Sequence, residues 1–363
     1  MKTYPVSAKD LTSEYLTELI GELHPGVKVE AVDIIDAKSY GEEMVSTAAR
    51  VLIAVRLSGK GSATLPTRFI VKLSRAVDII CAPFYQNEVG FYQRIQPELD
   101  IDIPRVYGAG YDAKTTHFVL LLEDLTLRNV LLPNVTHRIT VENARAMLAV
   151  LAKLHGRYWE SPRFSQDLSW VGTHVQGDIA SLMNGPVPGV IQHEIDNENF
   201  KREMVQRLRT TGPELLACVQ AVQRHQSSLP QTLLHGDTHL GNTYILPDGS
   251  MGLLDWQLMV RGYIMHDVNY FLTTALSIED RRTHERDLLV YYLDRLGSAG
   301  VVSPPSFDDA WLEYRRALAW GVYIGWLTTP IVNYGWEINV LNHLRLTTAF
   351  EDHDTLRLVR ELL

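Results

Sequence analysis

Leu234-His235-Gly236-Asp237-Thr238-His239-Leu240-Gly241-Asn242, followed after a short connection by Gly252-Leu253-Leu254-Asp255-Trp256-Gln257, is the stretch on which the reading of this chain turns. It is an H-x-D-x-x-x-x-N loop, then a turn at Pro247-Asp248-Gly249, then an Asp at the end of an apolar strand. Each residue type has a chemical use. A hydroxyl nucleophile needs a carboxylate to orient it and accept its proton, and Asp237 offers one. A small hard cation takes oxygen ligands and keeps several waters, which the amide oxygen of Asn242 and the carboxylate of Asp255 suit.

The Asp-to-Asn spacing, with a second Asp downstream, is that of the protein-kinase catalytic loop, where metal ions neutralise the phosphates of ATP. Such chemistry also needs a cation on the phosphates. Lys72 sits near the end of the apolar strand Arg68-Phe69-Ile70-Val71-Lys72-Leu73, and Glu88 lies in the following helical segment, where it can hold that lysine. An edge-strand lysine and a solvated helix glutamate are the plain alternative. The downstream loop tips the balance to the functional pair.

Ser39-Tyr40-Gly41-Glu42-Glu43-Met44-Val45-Ser46 stands where a phosphate-covering loop belongs, but it holds one glycine and does not match G-x-G-x-x-G. A polar hairpin explains it equally well. The strand Val119-Leu120-Leu121-Leu122 runs into Glu123-Asp124-Leu125, where composition shifts. Two readings fit that step: a hinge whose Glu123 and Leu125 backbone groups bind an adenine edge, or a strand end followed by a helix-starting Asp.

His235, Asp237 and His239 also spell H-x-D-x-H, and His266-Asp267 is a second pair. A metal-dependent phosphohydrolase would use such groups. That reading leaves Asn242, Asp255, Lys72 and Glu88 without a task. In the transferase reading His235 and Asp267 support the loop by hydrogen bonds, and His239, Trp256 and Gln257 are candidates for substrate contact. A third reading is a nucleotide-binding pseudokinase. Trp311, Trp320, Trp326, Tyr334 and Trp336 make the C-terminal part aromatic; most belong to a core, and one or two suit a substrate pocket.

The 363 residues are 46% hydrophobic and 21% charged, an ordinary globular composition long enough for two domains. A net charge of −9 and a pI near 5.8 argue against a nucleic-acid partner. Cys81 and Cys218 lie far apart and outside any metal-ligand spacing, so a reducing compartment and a cytoplasmic location are expected. No apolar run reaches membrane-spanning length, so no membrane insertion is expected. Oligomeric state has no signal here.

Ser13 to Leu23 predicts a helix; Val27 to Ala37, Ala48 to Leu57, residues 68–73, Pro104 to Gly110 and His117 to Leu122 predict strands; Ala82 to Ile95 predicts a helix between them. After Asp124 the pattern is mostly helical. Thr140 caps a helix to about Tyr158 with the stripe Ala144, Met147, Leu148, Leu151 and Leu154. Further helices are expected over Phe200 to Gln223, with a break near Gly212-Pro213, and over Asp267 to Leu276, Arg281 to Leu296 and Asp308 to Thr328.

These residues resemble the aminoglycoside phosphotransferase and choline kinase-like superfamily, and residues 233–272 are most similar to its ecdysteroid kinase-like (CHK) branch. His235-Gly236-Asp237-Thr238-His239-Leu240-Gly241-Asn242 with Asp255-Trp256-Gln257 carries the resemblance. Glu123-Asp124-Leu125, Leu151-Ala152-Lys153-Leu154-His155 and residues 281–286 add to it, and it spans about residues 40–330. The resemblance implies an α+β, bilobal protein-kinase-like fold: a small N-terminal lobe of antiparallel sheet plus helix (1–122), a hinge (123–125) and a larger, mainly helical C-terminal lobe (126–363). It implies an ATP- and Mg²⁺-dependent kinase that phosphorylates a hydroxyl of a small molecule. Asp237 then matches the catalytic base, Asn242 and Asp255 the metal ligands, and Lys72 with Glu88 the phosphate-positioning pair.

Overall fold

The computed structural model describes residues 4–37, 48–74 and 81–363. The segment Ser39 to Ser46, weighed above as a phosphate loop, lies outside the described residues. The chain divides into two compact units, Met1–Leu99 with Ile103–Val130, and Asp100–Asp102 with Leu131–Leu363. Glu123 to Leu125 falls inside the first.

The N-terminal unit contains α1 (Ser13–Gly21), β1 (Val27–Asp36), β2 (Ala49–Gly59), β3 (Arg68–Leu73), α2 (Ala82–Arg94), β4 (Val106–Tyr111) and β5 (Phe118–Glu123). The five strands form one antiparallel sheet in the order β1-β2-β3-β5-β4. Thr12 caps α1 by accepting from the Tyr15 N–H. The buried face of α1, Leu16, Leu19 and Ile20, joins Val29, Phe69, Val71 and Leu73 in one core. Because side chains alternate across a strand, packing Phe69, Val71 and Leu73 into that core sends Lys72 to the opposite face. β3 is the central strand, with Lys72 in register with Arg50 on β2 and Leu120 on β5.

The C-terminal unit is mainly helical: α3 (Val141–Arg157), α4 (Asp178–Asn184), α5 (Val187–Asn197), α6 (Asn199–Arg207) and α7 (Gly212–Gln226) precede residues 232–262. There two short antiparallel ribbons form. β6 (Thr232–Leu234) pairs with β9 (Val260–Gly262), and β7 (Thr243–Ile245) pairs with β8 (Met251–Leu253). α8 (Met265–Ala275), α9 (Ile278–Ser298), α10 (Phe307–Trp320), a π-helical turn at Gly321–Trp326, α11 (Ile331–Tyr334), α12 (Trp336–Asp352) and α13 (Thr355–Arg360) follow. Every residue of α8 is buried, so it is a central helix with no solvent face. Thr140 caps α3 through the Asn143 N–H. Together the units make the fold α+β.

Among the described residues no helix is long and apolar enough to cross a membrane. Cys81 and Cys218 are not joined in a disulfide.

Candidate active site

In the N-terminal unit, α2 places Glu88 under Lys72. The ammonium donates to both carboxylate oxygens, at 2.7 and 2.6 Å, and the two residues are 5% and 2% exposed. A buried lysine is costly unless a carboxylate meets it with good geometry, and here both oxygens do. On the neighbouring strand end, the Glu123 N–H donates to the Arg105 carbonyl at 2.8 Å. That donor is therefore taken and is not offered to a base. Asp124 caps the following turn through Thr126 and pairs with Arg68 at 2.8 Å.

In the C-terminal unit, β6 delivers the chain into the loop from His235 to Asn242, and Asp267 gives the loop its shape. One Asp267 carboxylate oxygen accepts the His235 N–H at 2.7 Å and the other accepts the Gly236 N–H at 2.9 Å. The Asp267 carbonyl accepts from the Thr238 hydroxyl at 2.7 Å. His266, the first-turn neighbour on α8, donates from Nε2 to the Gly236 carbonyl at 3.0 Å. Gly236 has φ +82, and a Cβ there would lie 2.0 Å from the Leu258 carbonyl oxygen, so only glycine fits.

His155 of α3 stands behind Asp267. Its Nε2 lies 3.2 Å from the carboxylate and its Nδ1 2.6 Å from the Tyr292 hydroxyl. Burial acts to raise the Asp267 carboxyl. The His155 hydrogen bond and the neighbouring imidazoles outweigh it and bring the group down to about 2. Asp267 is thus an anion at neutral pH, the state in which it accepts from two backbone N–H groups at once.

His235 is fully buried. Its Nε2 donates to the Leu254 carbonyl at 3.0 Å, and its Nδ1 accepts the Asp237 N–H at 3.2 Å. Burial lowers its pKa, in keeping with this neutral tautomer. With both nitrogens committed, and with His266 spent on Gly236, two of the imidazoles of the metallo-hydrolase reading are engaged as structural hydrogen-bonders. Among the described residues no three His, Cys, Asp or Glu side chains are grouped to share a metal ion.

Asp237 is 9% exposed. Its carboxylate accepts from Asn242 Nδ2 at 2.9 Å, and its carbonyl accepts from the same nitrogen at 2.9 Å. His239 Nε2 lies 3.9 Å from the carboxylate, while its Nδ1 accepts the Gly241 N–H. Burial, and then the charge of Asp255, push the Asp237 carboxyl up to about 8, against the pull of Asn242. Burial holds the His239 imidazole down at about 4.

Asn242 is tied to the chain just past β8, ahead of Asp255, because the Leu254 N–H donates to the Asn242 carbonyl at 3.0 Å. Asp255 itself adopts φ +67, a left-handed conformation uncommon outside glycine. With its amide nitrogen spent on Asp237, Asn242 keeps the amide oxygen for another partner. An amide oxygen and a carboxylate close to the buried Asp237 fit a hard divalent cation. Burial is the larger cause of the rise at Asp237, and the Asp255 charge that adds to it is charge such a cation would neutralise.

Trp256 does not suit substrate contact. It is fully buried, with its ring 4.6 Å from that of His235, and it backs the loop. Gln257 is half-buried. The sequence reading missed His155, Thr238, His266 and Tyr292 as parts of the loop's support. The signal for His155 was present: it falls four residues after Leu151, on the apolar stripe of α3.

The ecdysteroid kinase-like family matches residues 40–299. No curated protein matches the chain. Solved structures similar to it include an aminoglycoside phosphotransferase from Streptomyces rimosus, 18% identical over 77% of this chain and 90% of that one, with a TM-score of 0.48. A choline kinase from Streptococcus pneumoniae is 13% identical over 93% and 98%, with a TM-score of 0.46. An aminoglycoside phosphotransferase in complex with GDP and kanamycin is 12% identical over 95% and 97%, with a TM-score of 0.49.

Proposed function

Because the chain belongs to the ecdysteroid kinase-like family, we propose that it is an ATP- and Mg²⁺-dependent phosphotransferase that phosphorylates a hydroxyl group of a small molecule. The observation that carries this reading is the fixed carboxylate of Asp237. It is buried, hydrogen-bonded by Asn242, and presented by a loop that Asp267 and Gly236 permit only one shape.

Mg²⁺-ATP would supply the γ-phosphoryl group and the charge neutralisation on its oxygens. Asn242, through its amide oxygen, and Asp255 would hold the cation. Lys72, steadied by Glu88, would fix phosphate oxygens, and the Leu125 backbone and the Glu123 carbonyl would face the base. Asp237 would accept a hydrogen bond from the acceptor hydroxyl and aim its oxygen at the phosphorus. As the new O–P bond forms and the bond to the β-phosphate oxygen breaks, the hydroxyl proton passes to Asp237 and then to solvent. Most of the rate would come from positioning and charge stabilisation. His239, close to the Asp237 carboxylate, would border the acceptor.

The test is ATP consumption against a library of hydroxylated metabolites, with mass detection of the phosphorylated product, for the native chain and Asp237→Asn. The reading requires a Mg²⁺-dependent product gaining one phosphoryl group. It also requires that Asp237→Asn keep Mg²⁺-ATP binding while transfer drops by ~10²–10⁴. Transfer at the native rate by Asp237→Asn would remove Asp237 from the mechanism. Loss of ATP binding along with transfer would make it a nucleotide or metal ligand.

A further inference from the structure

α12 presents two different faces. Asn339, His343 and Leu346 are buried against the helical core. Val340, Leu341 and Arg345, with Trp336 and Glu337 at the start of the helix and Val135 and Thr136 from earlier in the chain, line a groove of about 680 Å³. The groove is apolar along most of its length, and Trp336 is 56% exposed there.

Arg345 is the unusual residue of this lining. It is half-buried, and its guanidinium donates to backbone carbonyls: Nη1 to Thr274 at 2.6 Å and Ala275 at 3.2 Å, Nη2 to Val135 at 3.0 Å. Among the described residues no carboxylate pairs with it. Burial lowers its pKa to about 10, with no opposing charge acting on it. Thr274 and Ala275 end α8, so the helix terminus supplies about half a negative charge. Three of the five N–H donors are used. A half-buried cation with donors left over and half its charge uncompensated asks for a planar anion, which a carboxylate matches in shape.

We propose that this groove is a binding site for an amphipathic carboxylate, with its apolar body on Trp336, Val340 and Leu341 and its head on Arg345. A monoanion suits the residual charge better than a doubly charged phosphate ester, because Glu337 stands exposed on the same helix face. Glu337 is eight residues from Arg345, ~12 Å along the axis, and would border the distal end of the body. An ammonium ligand offers only donors and would meet a guanidinium. The site also touches the catalytic loop by one residue: Thr274, whose carbonyl Arg345 holds, accepts the Leu240 N–H on its hydroxyl at 3.3 Å.

Calorimetry on the full chain tests this, with dodecanoate, dodecyl phosphate and dodecyltrimethylammonium each kept below its micelle concentration. Dodecanoate should bind at one site, at least tenfold tighter than either of the others. Val340→Glu, on the partly exposed side of α12, should abolish binding with circular dichroism unchanged. Arg345→Gln should weaken dodecanoate at least tenfold, and Arg345→Lys should restore part of the loss. If Arg345→Gln fails to fold, Val340→Glu and Arg345→Lys decide. Asp237→Asn should bind dodecanoate like the native chain, which separates this site from the phosphotransfer reading. No binding of dodecanoate, equal binding of the ammonium, or indifference to Val340→Glu would overturn the proposal; tighter binding of dodecyl phosphate would replace carboxylate by phosphate as the head.

Discussion

Asn242 donates one amide nitrogen to both the carboxylate and the backbone carbonyl of Asp237, each at 2.9 Å. The six-residue turn from Asp237 to Asn242 is thereby closed on itself, and the amide oxygen takes no part in closing it. Asn242→Ala should open the turn while leaving the fold intact. A hydrogen bond to a charged group contributes ~1.5–3 kcal/mol, so transfer should fall at least tenfold and Mg²⁺ dependence should move to higher concentration. Steady-state kinetics across a Mg²⁺ titration measures both.

Asp267 is the anion that the loop is built on. Asp267→Asn would aim an amide N–H at one of the two backbone donors now bound by the carboxylate. A loss of about 3 kcal/mol in unfolding free energy is expected, read from urea denaturation at pH 7. Because folding depresses the Asp267 pKa to about 2, its contribution is present above the unfolded value near 4 and is lost as pH falls towards 2. The native chain should therefore lose more stability between pH 4 and pH 2 than the variant does.

Lys72 and Glu88 form a buried pair, so removing one partner should cost more than removing both. Lys72→Met alone strands a carboxylate, at ~3–5 kcal/mol. Lys72→Met with Glu88→Leu should recover most of that stability while still failing to bind Mg²⁺-ATP. A double-mutant cycle by chemical denaturation, with calorimetry of nucleotide binding, checks the two halves separately.

His343 gives the C-terminal unit an acid sensitivity. Burial, and then the charge of Lys201, hold its imidazole down at about 3. The unfolded chain binds this proton near pH 6.5. Between about pH 6.5 and 3 the unfolded state is therefore the better proton acceptor, and stability falls as pH drops through that window. His343→Leu should flatten the dependence. Urea midpoints at pH 7.5 and pH 5 should differ less in the variant than in the native chain.

Much of this was legible in the sequence because strong local rules agree. The β3 pattern of Phe69, Val71 and Leu73 around Lys72 forces the lysine to the face opposite the core, and Thr140 starts α3 where a capping residue should. Other parts were illegible for physical reasons. α4 and α5 are flanked by Gly177, Gly185 and Pro186, which read as breakers, yet Pro186 stands just ahead of the first turn of α5, where the missing N–H costs nothing. α11 to α13 hide behind Pro330 and behind Gly335, which has φ +82. The burial of Trp256 could not be inferred, since an aromatic ring serves a core and a binding wall equally well. The stripe of α3 marks His155 as buried, but its partner Asp267 lies 112 residues away, and no local pattern records that contact.

That separation bears on the order in which the molecule is made. All of the loop from His235 to Asn242 leaves the ribosome before Asp267 does, and α3 with His155 is finished long before either. A nascent chain ending near Asp255 thus carries the proposed base and both proposed cation ligands but lacks the Asp267 carboxylate that accepts the His235 and Gly236 N–H groups. The catalytic geometry can be set only when α8 arrives and buries every one of its residues. Until then the segment is a motif without a shape, and activity should appear in one step with the docking of that helix rather than grow as the chain lengthens.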